Sequence, residues 1–124
     1  MKILVTLAVI LLAIPGLKAQ PKIDQLIKFE KEAYAFGKVP KGKPVSIEFK
    51  FTNPGSKPVI IEDATAECGC TKPEFPPQPV MPGKTGVIKV TYDAKEPGTF
   101  TKKVTVRLVN VTDAKILTIS GEVI

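Results

Sequence analysis

The sequence predicts an all-β domain: an antiparallel β-sandwich of about seven strands with no helix in its folded region. Three observations carry that reading. Val45-Ser46-Ile47-Glu48-Phe49-Lys50-Phe51-Thr52 alternates apolar and polar residues without a fault, the period of a strand with one face on a core and one in water. Further strand-like runs at residues 87–92, 100–108 and 117–123 are divided by turns such as Asn53-Pro54-Gly55-Ser56, Met81-Pro82-Gly83-Lys84 and Glu96-Pro97-Gly98. Beyond residue 19 no segment sustains a 3.6-residue period, and strands without helices bury their apolar faces by packing sheet on sheet.

At 124 residues, 44% hydrophobic and 24% charged, the chain fits one small globular domain. Residues 1–19 read as a secretory signal peptide: Met1-Lys2, an apolar centre at 3–14, a Pro15-Gly16 break, and Leu17-Lys18-Ala19 before the cut. A spanning helix needs about 20 apolar residues, more than this centre supplies. Leu17 departs from the small residue preferred two places before the cut residue, so an uncleaved N-terminal anchor is the competing reading. No cysteine stands near the cut site to carry a lipid. Removing Lys2 and Lys18 with the peptide leaves 16 basic against 12 acidic side chains, a net charge of +4. Export implies a periplasmic or secreted location, no stable membrane span, and a compartment where disulfides persist. The positive charge is dispersed without a basic cluster or interleaved aromatics, which disfavours nucleic acid. Lysines guarding exposed strand edges explain it better.

Residues 20–27 show no clear period and read as a flexible lead-in to a domain over residues 28–124. Residues 28–39 read as a first strand that bends near Gly37, followed by the turn Pro40-Lys41-Gly42-Lys43. After the strand at 45–52, Pro54 supplies the fixed negative φ of a turn and Gly55 its positive φ. A hairpin-like return follows through Val59 and Ile61. An uninterrupted strand from there would also bury Asp63 and Glu67, at a cost for each unpaired carboxylate. Ala64, Ala66 and Cys68 suit the core better, so a bulge or change of sheet is expected near Glu62-Asp63, carrying Cys68 to the core face. Later, Ile88, Val90 and Tyr92 share one face. So do Phe100, Val104, Val106 and Leu108, with Lys102 the exception. Asn110-Val111-Thr112-Asp113 connects to a last strand that alternates Leu117, Ile119, Gly121 and Val123.

Phe36-Gly37-Lys38-Val39, Phe49-Lys50-Phe51-Thr52-Asn53, Cys68-Gly69-Cys70-Thr71, Pro82-Gly83-Lys84-Thr85-Gly86 and Leu117-Thr118-Ile119-Ser120-Gly121-Glu122-Val123 occur in this order. In that set the chain, from about residue 28 to 124, resembles the bacterial domain-of-unknown-function family 1573. Its members resemble Hydin-like immunoglobulin-type domains and are usually exported. The resemblance implies an immunoglobulin-like β-sandwich and supplies no catalytic residue. Antibody-type hallmarks are absent: the sequence has no tryptophan, and its two cysteines lie too close together to bridge two sheets.

Cys68 and Cys70 are the candidate site. Two residues of extended chain span roughly 6.6–7.2 Å between α-carbons, whereas a disulfide prefers about 4.4–6.8 Å. The bond therefore needs a sharp fold at Gly69, which its missing side chain permits. It would close too short a loop to stabilise much, so reversible redox chemistry is its better rationale. Four readings stand side by side: a small core cysteine beside a strand-end cysteine, a labile disulfide or thiol-exchange site, a soft metal site, and disulfides to another chain. Thiolates suit Cu(I) or Zn(II), and Met81 could add a thioether to copper. The lack of any histidine argues against a metal, and no cofactor is expected beyond that copper option. Downstream, Pro76, Pro77 and Pro79 lie in overlapping Pro-x-x-Pro spacings. These read either as a polyproline ligand for a partner groove or as a stiff connection crossing between sheets. Asn110-Val111-Thr112 matches a glycosylation sequon, a motif common by chance.

Without histidine a serine or cysteine nucleophile lacks its commonest base, and the carboxylates are scattered. The sequence therefore points away from an enzyme. It points to an exported module that contacts an envelope or extracellular protein through a strand edge or the Pro-rich loop. The competing class is a thiol-redox or copper-handling protein acting through Cys68 and Cys70.

Overall fold

A computed structural model describes residues 21–124, so the signal peptide read at 1–19 lies outside the described residues. The elements are α1 (Ile23–Leu26), β1 (Lys28–Phe29), β2 (Ala33–Val39), β3 (Val45–Thr52), β4 (Ile61–Ala66), β5 (Thr71–Glu74), β6 (Thr85–Tyr92), β7 (Gly98–Leu108) and β8 (Ala114–Val123). They form two four-stranded sheets, ordered β1-β3-β6-β5 and β2-β8-β7-β4. This is a two-layer β-sandwich, as the strand periods predict, of the immunoglobulin-like type that the family resemblance implies. Among the described residues no helix is long and apolar enough to cross a membrane.

The alternation at 45–52 works as read. β3 pairs with β6 from Val45↔Tyr92 to Thr52↔Thr85, and Phe49 and Phe51 are fully buried. Ile88 and Val90 join them from the same sheet, while Val104, Val106, Leu108, Leu117 and Ile119 enter from the other. Two glycines owe their places to close packing. A Cβ on Gly86 would collide with the Phe51 ring, and one on Gly121 would lie 2.8 Å from Phe100 Cζ.

The bulge in β4 is present. Its register against β7 shifts between Ile61 and Asp63, and Ala64 and Ala66 pack on the core while Thr65 and Glu67 face solvent. The expected placement of Cys68 on the core face is not met, because the chain leaves β4 after Ala66 and Cys70 is the cysteine that packs there. Asp63 does not escape entirely, because its Oδ1 is buried without a hydrogen-bond partner.

Five further details of the sequence reading need correction. The first strand is two: Glu30 N donates to Lys50 O in one sheet, and Thr118 N to Glu32 O in the other, so the chain changes sheet around Lys31. The sandwich is not purely antiparallel, since β2 runs parallel to β8, with an irregularity between Ala35 and Lys38 where Gly37 has a φ of 74°. Of the flexible lead-in read at 20–27, the described residues 21–27 carry α1 and dock on the core: Ile23 and Ile27 are 2% and 1% exposed. Polar contacts hold them there. Ile23 N donates to Asp113 Oδ2 at 2.9 Å, and Lys115 pairs with Asp24 and Glu32. No hairpin joins β3 to β4, because β4 pairs with β7 in the opposite sheet. Gly55 is not among the positive-φ glycines of the described residues, which are Gly37, Gly42, Gly83 and Gly98. The fully buried Asn53 shapes that turn instead. Its Oδ1 accepts from Gly55 N, and its Nδ2 donates to Lys57 O and Val80 O.

Candidate functional site

The chain passes from β4, the edge of one sheet, to β5, the edge of the other, through residues 67–70. The cysteine motif is therefore the corner where the two layers join. Thr71 N donates to Cys68 O at 3.3 Å, and Asp93 N donates to Cys70 O at 2.9 Å, which fixes the corner to the end of β6. Within this turn Cys68 and Cys70 form a disulfide with their α-carbons 5.3 Å apart. That is inside the range a disulfide accepts and shorter than extended chain allows. The two cysteines are thus bonded to each other. Gly69 is less special than expected: its φ is not positive, and a Cβ there would meet nothing within 4 Å.

Both sulfur residues are half-buried, but they are not equivalent. Cys70 packs against the hydrophobic core, whereas Cys68 is not among the residues that do. Thr71, 4% exposed, puts its Oγ1 3.6 Å from Cys70 Sγ and 4.0 Å from Cys68 Sγ.

The disulfide forms one wall of an open cavity of about 290 Å³, whose other lining residues are Tyr92, Asp93, Lys95, Glu96 and Lys102. Tyr92 is its floor, stacked on Phe100 with ring centroids 4.0 Å apart. Burial, then the Asp93 and Glu96 carboxylates, push the Tyr92 hydroxyl above the usual tyrosine range. Asp93 Oδ1 also accepts from Lys95 N at 3.2 Å. Lys102, the break in the β7 pattern, is accounted for by this cavity. These neighbours lie far from the cysteines in sequence. A lysine on a core-facing strand position was the one available signal.

Met81 does not belong to the site. It is 52% exposed and precedes Thr85 at the start of β6, whereas Cys70 lies beside Asp93, beyond the other end of that strand. Seven residue steps of strand separate the ends by about 23 Å, so the copper set Cys68, Cys70 and Met81 is not assembled. Among the described residues no group of three or more His, Cys, Asp or Glu side chains converges.

The Pro-rich run is not a crossing between sheets. β5 and β6 lie side by side in one sheet, and the loop between them closes back on the chain before β4. Val80 N donates to Val59 O at 2.7 Å, and Val59 N to Val80 O at 2.9 Å. A turn ends the loop, with Lys84 N donating to Met81 O and Gly83 at a φ of 76°. Pro76 is half-buried, whereas Pro77 and Pro79 are exposed.

A family model described as "Protein of unknown function (DUF1573)" matches residues 27–123. No curated protein matches the sequence. Among solved structures, the chain is similar to the ASH/PapD-like domain of human CEP192 (PapD-like domain 7), at 8% identity and a TM-score of 0.70, covering 86% of this chain and 91% of that one. A protein of unknown function from Porphyromonas gingivalis W83 aligns with a TM-score of 0.69 and 10% identity over 79% of this chain. The match spans about half of that longer protein, 46%. The Pseudomonas aeruginosa CupB2 chaperone aligns with a TM-score of 0.58 and 12% identity, covering 77% of this chain and 55% of that one. At such identities the likeness establishes the fold.

Proposed function

The chain belongs to the DUF1573 family, and we propose that it is an exported, non-enzymatic immunoglobulin-like module. Its role is to hold a protein of the cell envelope or extracellular space by strand addition at the outer edge of β3. One observation carries the reading. β1 covers β3 only at Thr52 and Phe51, with one further hydrogen bond from Glu30 N to Lys50 O. Backbone groups of alternate residues point the same way along a strand, so those of Ser46 and Glu48 also face outward. No strand among the described residues covers them. The exposed stretch is regular and holds no proline or glycine to blunt it, a template for an added strand. Likeness to a PapD-like domain and to a chaperone supports an interaction module. The apolar N-terminal segment and a disulfide support export. The absence of histidine from the sequence supports a role without catalysis.

The test is capture from a native envelope extract by the immobilised protein. Glu48→Pro places a ring on the outer edge, where the missing N–H leaves the β6 ladder intact. Partners that dock on this edge are lost with that variant and retained with the triple change of Pro76, Pro77 and Pro79 to alanine. The opposite pattern would move the interface to the Pro-rich loop and sink the reading.

A further inference from the structure

We propose that the Cys68–Cys70 disulfide is a thiol-exchange site that takes two electrons from a dithiol of a partner protein, with Cys68 as the attacked sulfur and Cys70 as the leaving group. The inference is independent of strand addition at β3. It begins with access: both cysteines line the open cavity and neither is sealed in the core. Exchange needs a thiolate to approach along the S–S axis. Cys70 is the inner residue, packed against the core, and Cys68 is not, so the approach to Cys68 Sγ is the less hindered of the two.

The surroundings also distinguish the leaving group. Thr71 Oγ1 is closer to Cys70 Sγ than to Cys68 Sγ, 3.6 against 4.0 Å. Its hydroxyl can therefore donate to a thiolate released at Cys70, and a better-stabilised leaving thiolate departs faster. The cavity's charges do not decide the polarity, because Lys95 and Lys102 are matched by Asp93 and Glu96. The corner is also held without the bond, through β4 on β7, β5 on β6, and Asp93 N on Cys70 O. Opening and closing the disulfide thus need not disturb the sandwich.

The electron count closes in two steps. A partner thiolate forms a bond to Cys68 Sγ as the Cys68–Cys70 bond breaks, its electron pair passing to Cys70 Sγ. The partner's second thiolate then attacks the partner sulfur of the mixed disulfide and releases Cys68. The partner leaves as a disulfide, and its two protons end on the two cysteines.

The first experiment treats the native, oxidised protein with glutathione, quenches it in acid and locates the adduct by tandem mass spectrometry. Glutathione on Cys68 is the expected result. Glutathione on Cys70, or no adduct until urea unfolds the chain, overturns the proposal. The second measures the rate of reduction by dithiothreitol. Thr71→Val should slow it about three- to ten-fold and Thr71→Ser should restore it. In a Cys68→Ala background, Thr71→Val should also raise the pH at which Cys70 becomes alkylated, a change that loosened packing alone would not produce. Equal rates and equal alkylation profiles would remove Thr71 from the mechanism.

Discussion

Replacing both cysteines with alanine measures whether this disulfide is a structural staple. The bond joins residues two apart, so the closed loop contains three residues. With n = 3, the loop-entropy relation yields about 1.6 kcal/mol at 25 °C, against about 3 kcal/mol for a fifteen-residue loop. Truncating Cys70 adds little, because the residue is half-buried. Urea unfolding followed by far-UV circular dichroism is the assay. With a slope of about 1.5 kcal/mol/M, the midpoint should fall by about 1 M while the slope stays unchanged. A loss above about 3 kcal/mol, or loss of the cooperative transition, would refute the reasoning. The bond would then be holding the two layers together, and a site that opens and closes could not be built on it.

Gly86→Ala should cost about 1–3 kcal/mol in the same assay, because its Cβ is driven into the fully buried Phe51 ring. Asn53→Ala should cost about 2–3 kcal/mol, since Gly55 N, Lys57 O and Val80 O lose their side-chain partner. Alkaline pH should weaken the fold through two groups whose folded pKa values are raised. Tyr92 is lifted from 10.0 by burial and then by Asp93 and Glu96. For Lys115, raised from 10.5, burial acts downward but is outweighed by the hydrogen bonds to Asp24 and Glu32. Each folded-state group holds its proton more tightly than the unfolded chain does, so this stability is complete below the unfolded values and lost as pH rises through the folded ones. Urea midpoints compared at about pH 9 and 11 should show the drop, and Tyr92→Phe should make it shallower.

The longer strands were legible in the sequence because they rest on a local period, whereas the break between β1 and β2 and the four-residue β5 were not. The parity break at Glu62-Asp63 even located the β4 bulge, since a carboxylate on the core face is costly wherever the partner strand lies. Partnership was not legible. Nothing in residues 53–61 distinguishes a hairpin return from a crossing to the other sheet. The buried Asn53 that shapes this connection looks, in sequence, like any turn asparagine. The α1 turn left a faint mark, since Ile23, Leu26 and Ile27 stand at helical spacing. A single turn is too short to register as a period. At the site, the cysteines were evident from their rarity and the closing geometry from backbone reach. The cavity was not, because Tyr92, Lys95 and Lys102 are brought to Cys68 by pairings that no short window contains.

Those pairings also divide the molecule into two unlike flanks. On one, β4 and β5 are joined at one end by the disulfide corner and at the other by the Val59–Val80 bridge. Pro73 further denies β5 an N–H. That flank is closed to an added strand. On the other, the two-residue β1 leaves most of β3 uncovered, and β6 stands between that strand and β5, which carries the sulfur corner. Glu48 pairs with Lys89, whereas the cysteine corner lies beside Tyr92 and Asp93 at the end of β6. Changes two strands apart, about 10 Å or more, with different pairing partners act nearly independently. Glu48→Pro should therefore abolish partner capture while leaving the rate of reduction by dithiothreitol unchanged, and alanine at both cysteines should leave capture intact. If the cysteine variant also loses its partner, the two surfaces are one interface, and strand addition at β3 cannot by itself account for binding.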